Sequence, residues 1–182
     1  MGTSAKFGFY YKGKYYLAFN KFDSYPKGLG YRLILELLNA DFDEWIKLLE
    51  NIKEVSEDDK ITPEDIKKLE KYTWDIGPPS NFYCLLYHTQ GSFHHVLHSG
   101  YIVNIAEDDE IDLDYTYIVD LDNKEFRGQG YDLDMTVKLE RKELIKYALE
   151  WSGGDSNFYY NPEDALKAMK AMNFLPLLSS LK

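Results

Sequence analysis

The sequence predicts an α+β fold, a mostly antiparallel sheet entered through an N-terminal β-hairpin and sandwiched by helices, forming a single domain over residues 1–182. Three observations carry that prediction. Two aromatic, strand-favouring runs, residues 7–11 and 14–19, flank the tight-turn dipeptide Lys12-Gly13. Apolar residues recur at helical spacing behind the start signal at Asp41, and a second start signal stands at Thr62. A second strand pair, 115–121 and 124–127, surrounds the turn residues Asp122-Asn123.

The hairpin comes first. With Lys12 and Gly13 as its loop, Tyr10 faces Tyr15, Phe9 faces Tyr16 and Gly8 faces Leu17. Both faces are then apolar, which predicts cover on both sides and a central place in the sheet. Residues 31–38 are apolar enough for a buried helix. Asp41 and Glu44 form an N-cap and capping-box pair ahead of Phe42, Trp45, Ile46, Leu49 and Ile52 on one helical face. Thr62-Pro63-Glu64-Asp65 and Asn161-Pro162-Glu163-Asp164 repeat one start signal: a capping side chain, proline at the first helical position, and acids at the positive helix end. Gly77-Pro78-Pro79-Ser80 breaks the chain and is too short to mark a domain boundary. A helix is expected over 82–87, a strand over 100–106 and an amphipathic helix over 141–151.

Composition limits the partners. Apolar residues at 45% and charged residues at 29% describe a folded domain. No run approaches the roughly 18 apolar residues of a membrane span, and the opening segment lacks a signal-peptide pattern, so a soluble, cytoplasmic protein without a membrane partner is expected. Lys6 stands where N-myristoylation requires Ser or Thr. A net charge of −10 repels phosphate backbones, so duplex nucleic acid is not an expected partner. The single cysteine, Cys84, leaves no internal disulfide and fits a reducing compartment.

Extending the hairpin register sets Thr3 opposite Phe22 and Gly2 opposite Asp23, bringing Asn20, Asp23 and the chain start together. A free amine beside a hydroxyl and an oriented carboxylate is what an N-terminal nucleophile uses, so Thr3, Asn20 and Asp23 are candidate catalytic residues. Thr3 takes that role only if both Met1 and Gly2 are removed. Gly28-Leu29-Gly30, opening a helix, offers backbone N–H groups to an oxyanion or phosphate. Ser24 and Tyr25 complete a candidate ligand site, and Tyr25, Tyr159 and Tyr160 suit a pocket wall. The competing reading makes Asp23 to Gly28 a turn leaving a strand, with Asp23 as its cap.

Cys84, His88, His94 and His98 are spaced in pairs four apart, an alternative as a zinc site that lacks a recognised zinc pattern, so no metal or cofactor is expected. Residues 107–122 contain eight acids and no base, yet lack the glycine and terminal glutamate of a calcium loop. In "SEDDKITPED" at 56–65, Asp59 occupies the required glycine position.

Gly2-Thr3, "YYKGKYY" at 10–16, "FNKFDSYPKGLG" at 19–30, "TQG" at 89–91 and "YTYIVDLDNKEF" at 115–126 together resemble a scattered family of uncharacterised proteins from fungi, large DNA viruses and some bacteria. The resemblance implies a role beyond the turn for Asn20, Asp23, Gly28 and Gly30, and supplies no chemistry. The opening also resembles N-terminal nucleophile hydrolases of the bile-acid and penicillin amidase kind, which carry an Asn-x-Asp element across a hairpin from the nucleophile. Here Gly2 stands in the nucleophile's place, and one extra residue separates Asn20 from Asp23. The expected function is binding: a pocket at the hairpin's open end for a small polar, nucleotide-like ligand or a protein partner's segment. The alternatives are an amide hydrolase using Thr3, and an acidic protein-interaction module without a pocket.

Overall fold

In the computed structural model, which describes residues 2–107 and 112–152, β1 (Ala5–Tyr11) and β2 (Lys14–Asn20) pair in the predicted register. Lys12 and Gly13 adopt φ of 48° and 73°, the double left-handed turn that matches strand twist. Beyond the hairpin, one wide turn, Pro26–Gly30, runs directly into α1 (Tyr31–Leu38). There follow α2 (Phe42–Glu50), β3 (Lys53–Val55), α3 (Pro63–Leu69), α4 (Phe82–Leu85), α5 (Phe93–Ser99), β4 (Tyr101–Val103), β5 (Tyr115–Asp120), β6 (Glu125–Gly130), β7 (Leu133–Lys138) and α6 (Arg141–Trp151). The start signal at Pro162 and the residues Tyr159 and Tyr160 lie outside the described residues. No described helix is long and apolar enough to cross a membrane.

Short polar side chains start the helices as their chemistry dictates. The Asp41 carboxylate accepts the Glu44 N–H at 3.1 Å. Thr62 and Asp65 form a reciprocal capping box, each side chain accepting the other's N–H, at 3.2 and 3.0 Å. Asn81 and Ser92 cap α4 and α5 with one bond each, their side chains accepting the Cys84 and His95 N–H groups. Gly100, at φ 74°, ends α5 in the left-handed conformation that glycine adopts without strain.

The five-stranded sheet has the order β2-β1-β5-β6-β7, antiparallel except where β1 and β5 run parallel, and β3 and β4 form a separate parallel pair. The hairpin is therefore not central: β1 is interior and β2 is an outer strand. That edge is partly covered, because Asn104 accepts the Leu17 N–H and donates to the Tyr15 carbonyl, while the Ile105 N–H donates to the Leu17 carbonyl. The helix expected over 82–87 is cut to α4 and a following single turn at Tyr87–Thr89. The strand expected over 100–106 stops at Val103, where the chain turns to cap β2.

Helices cover the face carrying Ala5, Phe7 and Phe9, all buried. Phe9 meets the Trp45 ring edge-on at 5.9 Å, and Phe93 packs against Phe7, Phe9 and Trp45. A smaller cluster of Val55, Leu69, Tyr72, Phe82, Leu85 and Tyr101 lies beneath β3 and β4. The opposite sheet face carries Tyr10, Tyr15, Thr116, Ile118 and Arg127, each partly or fully exposed. Arg127 there pairs with the fully buried Asp120, which also accepts the Asn123 N–H at 2.7 Å. Next to it, the Asp122 carboxylate accepts the Lys12 and Gly13 N–H groups at 2.9 and 3.3 Å, fastening one hairpin turn to the other.

Candidate functional site

The β1–β2 ladder ends at Ala5 and Asn20, and side chains then take over the pairing. The Asn20 amide folds inward and donates to the Phe22 carbonyl at 2.7 Å and the Ser24 hydroxyl at 2.8 Å. The Ser24 N–H donates to the Thr3 hydroxyl at 2.8 Å. From β5, the buried Tyr117 hydroxyl donates to the Ser24 carbonyl, also at 2.8 Å. Burial pushes the Tyr117 phenol far up, so it remains a donor. Asp23 is the exception. At φ 53° it turns its exposed side chain outward, and its backbone carbonyl accepts the Leu29 N–H at 2.8 Å. The structure thus brings Thr3, Asn20 and Ser24 together, but leaves the Asp23 carboxylate without a hydrogen bond to any of them. Among the described residues no base faces the Thr3 hydroxyl; an amide N–H occupies it.

The two glycines of the turn serve close packing. A Cβ on Gly28 would lie 2.4 Å from the Asp23 carbonyl oxygen, and one on Gly30 would lie 2.9 Å from the Trp151 ring. Their N–H groups point inward, both to the Tyr25 carbonyl at 2.9 and 3.4 Å. They are not presented to an anion.

That packing shapes a cavity of about 600 Å³ at the open end of the hairpin. Here β1 and β5 begin, β6 ends and β7 begins, so the residues leaving each strand converge. Tyr25 from the turn, Tyr115 from β5, and Tyr147 and Trp151 from α6 form its walls. Tyr147 and Trp151 meet edge to face at 5.5 Å. Asp132, Asp134 and Glu150 stand at the exposed rim, with Lys27 the one cation among the described lining residues. The Tyr115 hydroxyl donates to Asp132 at 3.1 Å. Burial, then that hydrogen bond, raises its pKa and keeps the ring neutral.

The cysteine and histidines go separate ways. Cys84 faces Ser80, His88 faces Asp75 at 3.3 Å, and the His94 and His98 rings meet at a 36° tilt with centroids 4.0 Å apart. Among the described residues, no group of three His, Cys, Asp or Glu side chains is placed to hold a metal. Burial pushes His94 down to about 4, so it is neutral at pH 7. Within the acidic run, Asp114 accepts the Ser4 N–H at 2.7 Å and Asp120 and Asp122 lock turns, so each of these three acids has a structural partner.

One group escaped the sequence reading. Glu36, inside the apolar run of α1, is wholly buried and accepts the His94 N–H at 3.1 Å. Burial lifts it to about 7, against the pull of the Ser92 hydroxyl, the His94 and Phe93 N–H groups and the Arg32 charge. A lone glutamate among leucines was the signal that could have found it.

Set against protein-family models, curated proteins and solved structures, the chain matches none, and its function rests on these geometries.

Proposed function

We propose that this chain is a binding protein whose pocket, at the open end of the N-terminal hairpin, takes a small polar ligand bearing a positive charge, of the alkylammonium class. One observation carries the reading: four aromatic rings, Tyr25, Tyr115, Tyr147 and Trp151, wall a single cavity rimmed by Asp132, Asp134 and Glu150. Aromatic faces attract a cation through the ring quadrupole, at about 0.5–2 kcal/mol per contact. The rim carboxylates add Coulomb attraction, and the overall charge of −10 raises the local cation concentration. The same charges disfavour a phosphate, so the ligand class narrows away from nucleotides.

The test is a titration of the full chain with choline and with its neutral tert-butyl isostere, followed by tryptophan fluorescence. We expect choline to bind about tenfold more tightly than the isostere, and Asp132→Asn with Asp134→Asn to erase most of that difference. Equal affinities for the two compounds would defeat the proposal.

A further inference from the structure

A second cavity, of about 270 Å³, lies along the outer edge of β2, away from the hairpin's open-end pocket. Its position follows from strand alternation. In the β1–β2 ladder, the Leu17 N–H and carbonyl face outward and are taken by Asn104 and Ile105. Two residues further along, the N–H and carbonyl of Phe19 face outward by the same period. Opposite Phe19, Lys6 belongs to the set of β1 residues whose backbone faces β5, as the bonds at Ser4 and Tyr10 to Tyr115 and Leu121 show. Two residues beyond Phe19, the Lys21 N–H is capped by the Gln90 side-chain oxygen at 3.1 Å. The β2 edge is therefore covered on both sides of Phe19 and open at Phe19 itself. No described residue bonds that backbone pair.

The gap is walled for an apolar body. Leu86, Val96, Ile102 and Ile105 are buried side chains that line it, with the Tyr83 and Tyr101 rings beside them. Of its polar groups, the Thr89 hydroxyl donates to the Leu86 carbonyl, the Tyr101 hydroxyl donates to Asp65, and the Glu57 carboxylate at the exposed rim holds Asn81 at 3.1 Å, which leaves the Phe19 backbone pair, the Gln90 amide and the Tyr83 hydroxyl. A small volume, apolar walls and one fixed donor–acceptor pair define a selective small-molecule site. An unpaired amide N–H and carbonyl in such surroundings favour a partner that satisfies both at once.

We propose that this edge gap binds a planar heterocycle carrying an N–H donor and a carbonyl acceptor side by side on one edge, the lactam class, read by the backbone of Phe19. The ring stacks between the aliphatic wall and the tyrosines, and the lactam edge extends the β2 ladder by one rung. Glu57 at the rim makes the occupant a free ring rather than a phosphorylated one.

Isocarbostyril and its N-methyl derivative form a matched pair for the test, since methylation removes the donor and preserves the ring. Titrated into the isotopically labelled full chain, isocarbostyril is expected to shift the Phe19 amide resonance and its neighbours at Lys21 and Ile105. The N-methyl compound should bind about tenfold or more weakly, the loss that an unsatisfied backbone carbonyl and a steric block produce. Equal affinity for the two, shifts confined to another part of the chain, or no binding at millimolar concentration would overturn the assignment. Choline should leave these resonances unmoved, which keeps this site's outcome separate from that of the open-end pocket.

Discussion

The Tyr117 hydroxyl donates to the Ser24 carbonyl at 2.8 Å, joining the middle of β5 to the turn that follows the hairpin. Both groups are buried, so the bond has no water to replace it. Tyr117→Phe leaves that carbonyl unsatisfied, and we expect a loss of about 1–3 kcal/mol in chemical denaturation. Choline binding should weaken in the same variant, because the neighbouring Tyr25 wall is positioned by this turn. Unchanged stability would show that the carbonyl finds another donor.

Asn20 and Asp23, paired in the sequence reading, should respond oppositely to substitution. Asn20 is 4% exposed and its amide closes the turn through Phe22 and Ser24. Asn20→Ala is expected to cost about 2 kcal/mol or more. Asp23 is exposed at φ 53°, so Asp23→Gly relieves a left-handed residue and should leave stability equal or higher by up to about 1 kcal/mol. Thermal melts of the two variants give the comparison directly, and a larger loss at Asp23 would contradict the geometry.

The fully buried Asp120 pairs with Arg127 and fixes the Asn123 turn. Breaking a buried pair by removing one partner costs about 3–5 kcal/mol, because the surviving charge is stranded. Arg127 is only partly buried, so water can reach its side of the pair. Arg127→Met, which strands the buried carboxylate, should therefore be the more damaging single change, and Asp120→Asn the milder. A urea denaturation series that ranks them the other way would show that Asn123, not Arg127, carries the carboxylate.

How far the sequence reaches is clearest at the hairpin. Its register was legible because two turn residues determine every pair in the ladder, and the caps at Asp41 and Thr62 were legible because capping is local. The place of the hairpin in the sheet was not, since the covering of β2 depends on Asn104 and Ile105, over eighty residues away. Strand β7, Leu-Asp-Met-Thr-Val-Lys, alternates cleanly with Met135 and Val137 buried, and could have been read. Strands β3 and β4, with three residues each, are too short for periodicity to register. At the site, Tyr25 was found through turn chemistry, whereas Asp132 and Trp151 reach the same cavity only through β7 and α6 packing. Gly30 shows the limit well: the sequence marks it as special, and only the Trp151 ring 2.9 Å from its absent Cβ explains why.

Glu36 gives the chain a pH-dependent stability whose sign follows from burial. Its folded pKa of about 7 lies above the ordinary carboxylate value of 4.5, so the folded state holds the proton more tightly than the unfolded chain. Stability from this group is complete below about pH 4.5 and is lost as pH rises through 7. His94 works the other way: its folded value of about 4 lies below the ordinary 6.5, so its contribution is complete above 6.5 and lost as pH falls toward 4. The two slopes oppose each other in the wild-type protein, so a raw pH–stability curve does not isolate either. Glu36→Gln does. The amide keeps a carbonyl for the His94 N–H but cannot ionise, and it places an NH₂ group where the Glu36 Oε1 atom is buried without a partner, which shifts the whole curve by a constant. The wild-type-minus-variant difference in unfolding free energy should therefore fall by up to about 3 kcal/mol between pH 4.5 and pH 8. Parallel curves across that range would mean that the Ser92 hydroxyl, the Phe93 and His94 N–H groups and Arg32 hold the carboxylate ionised throughout, against the desolvation that isolates it.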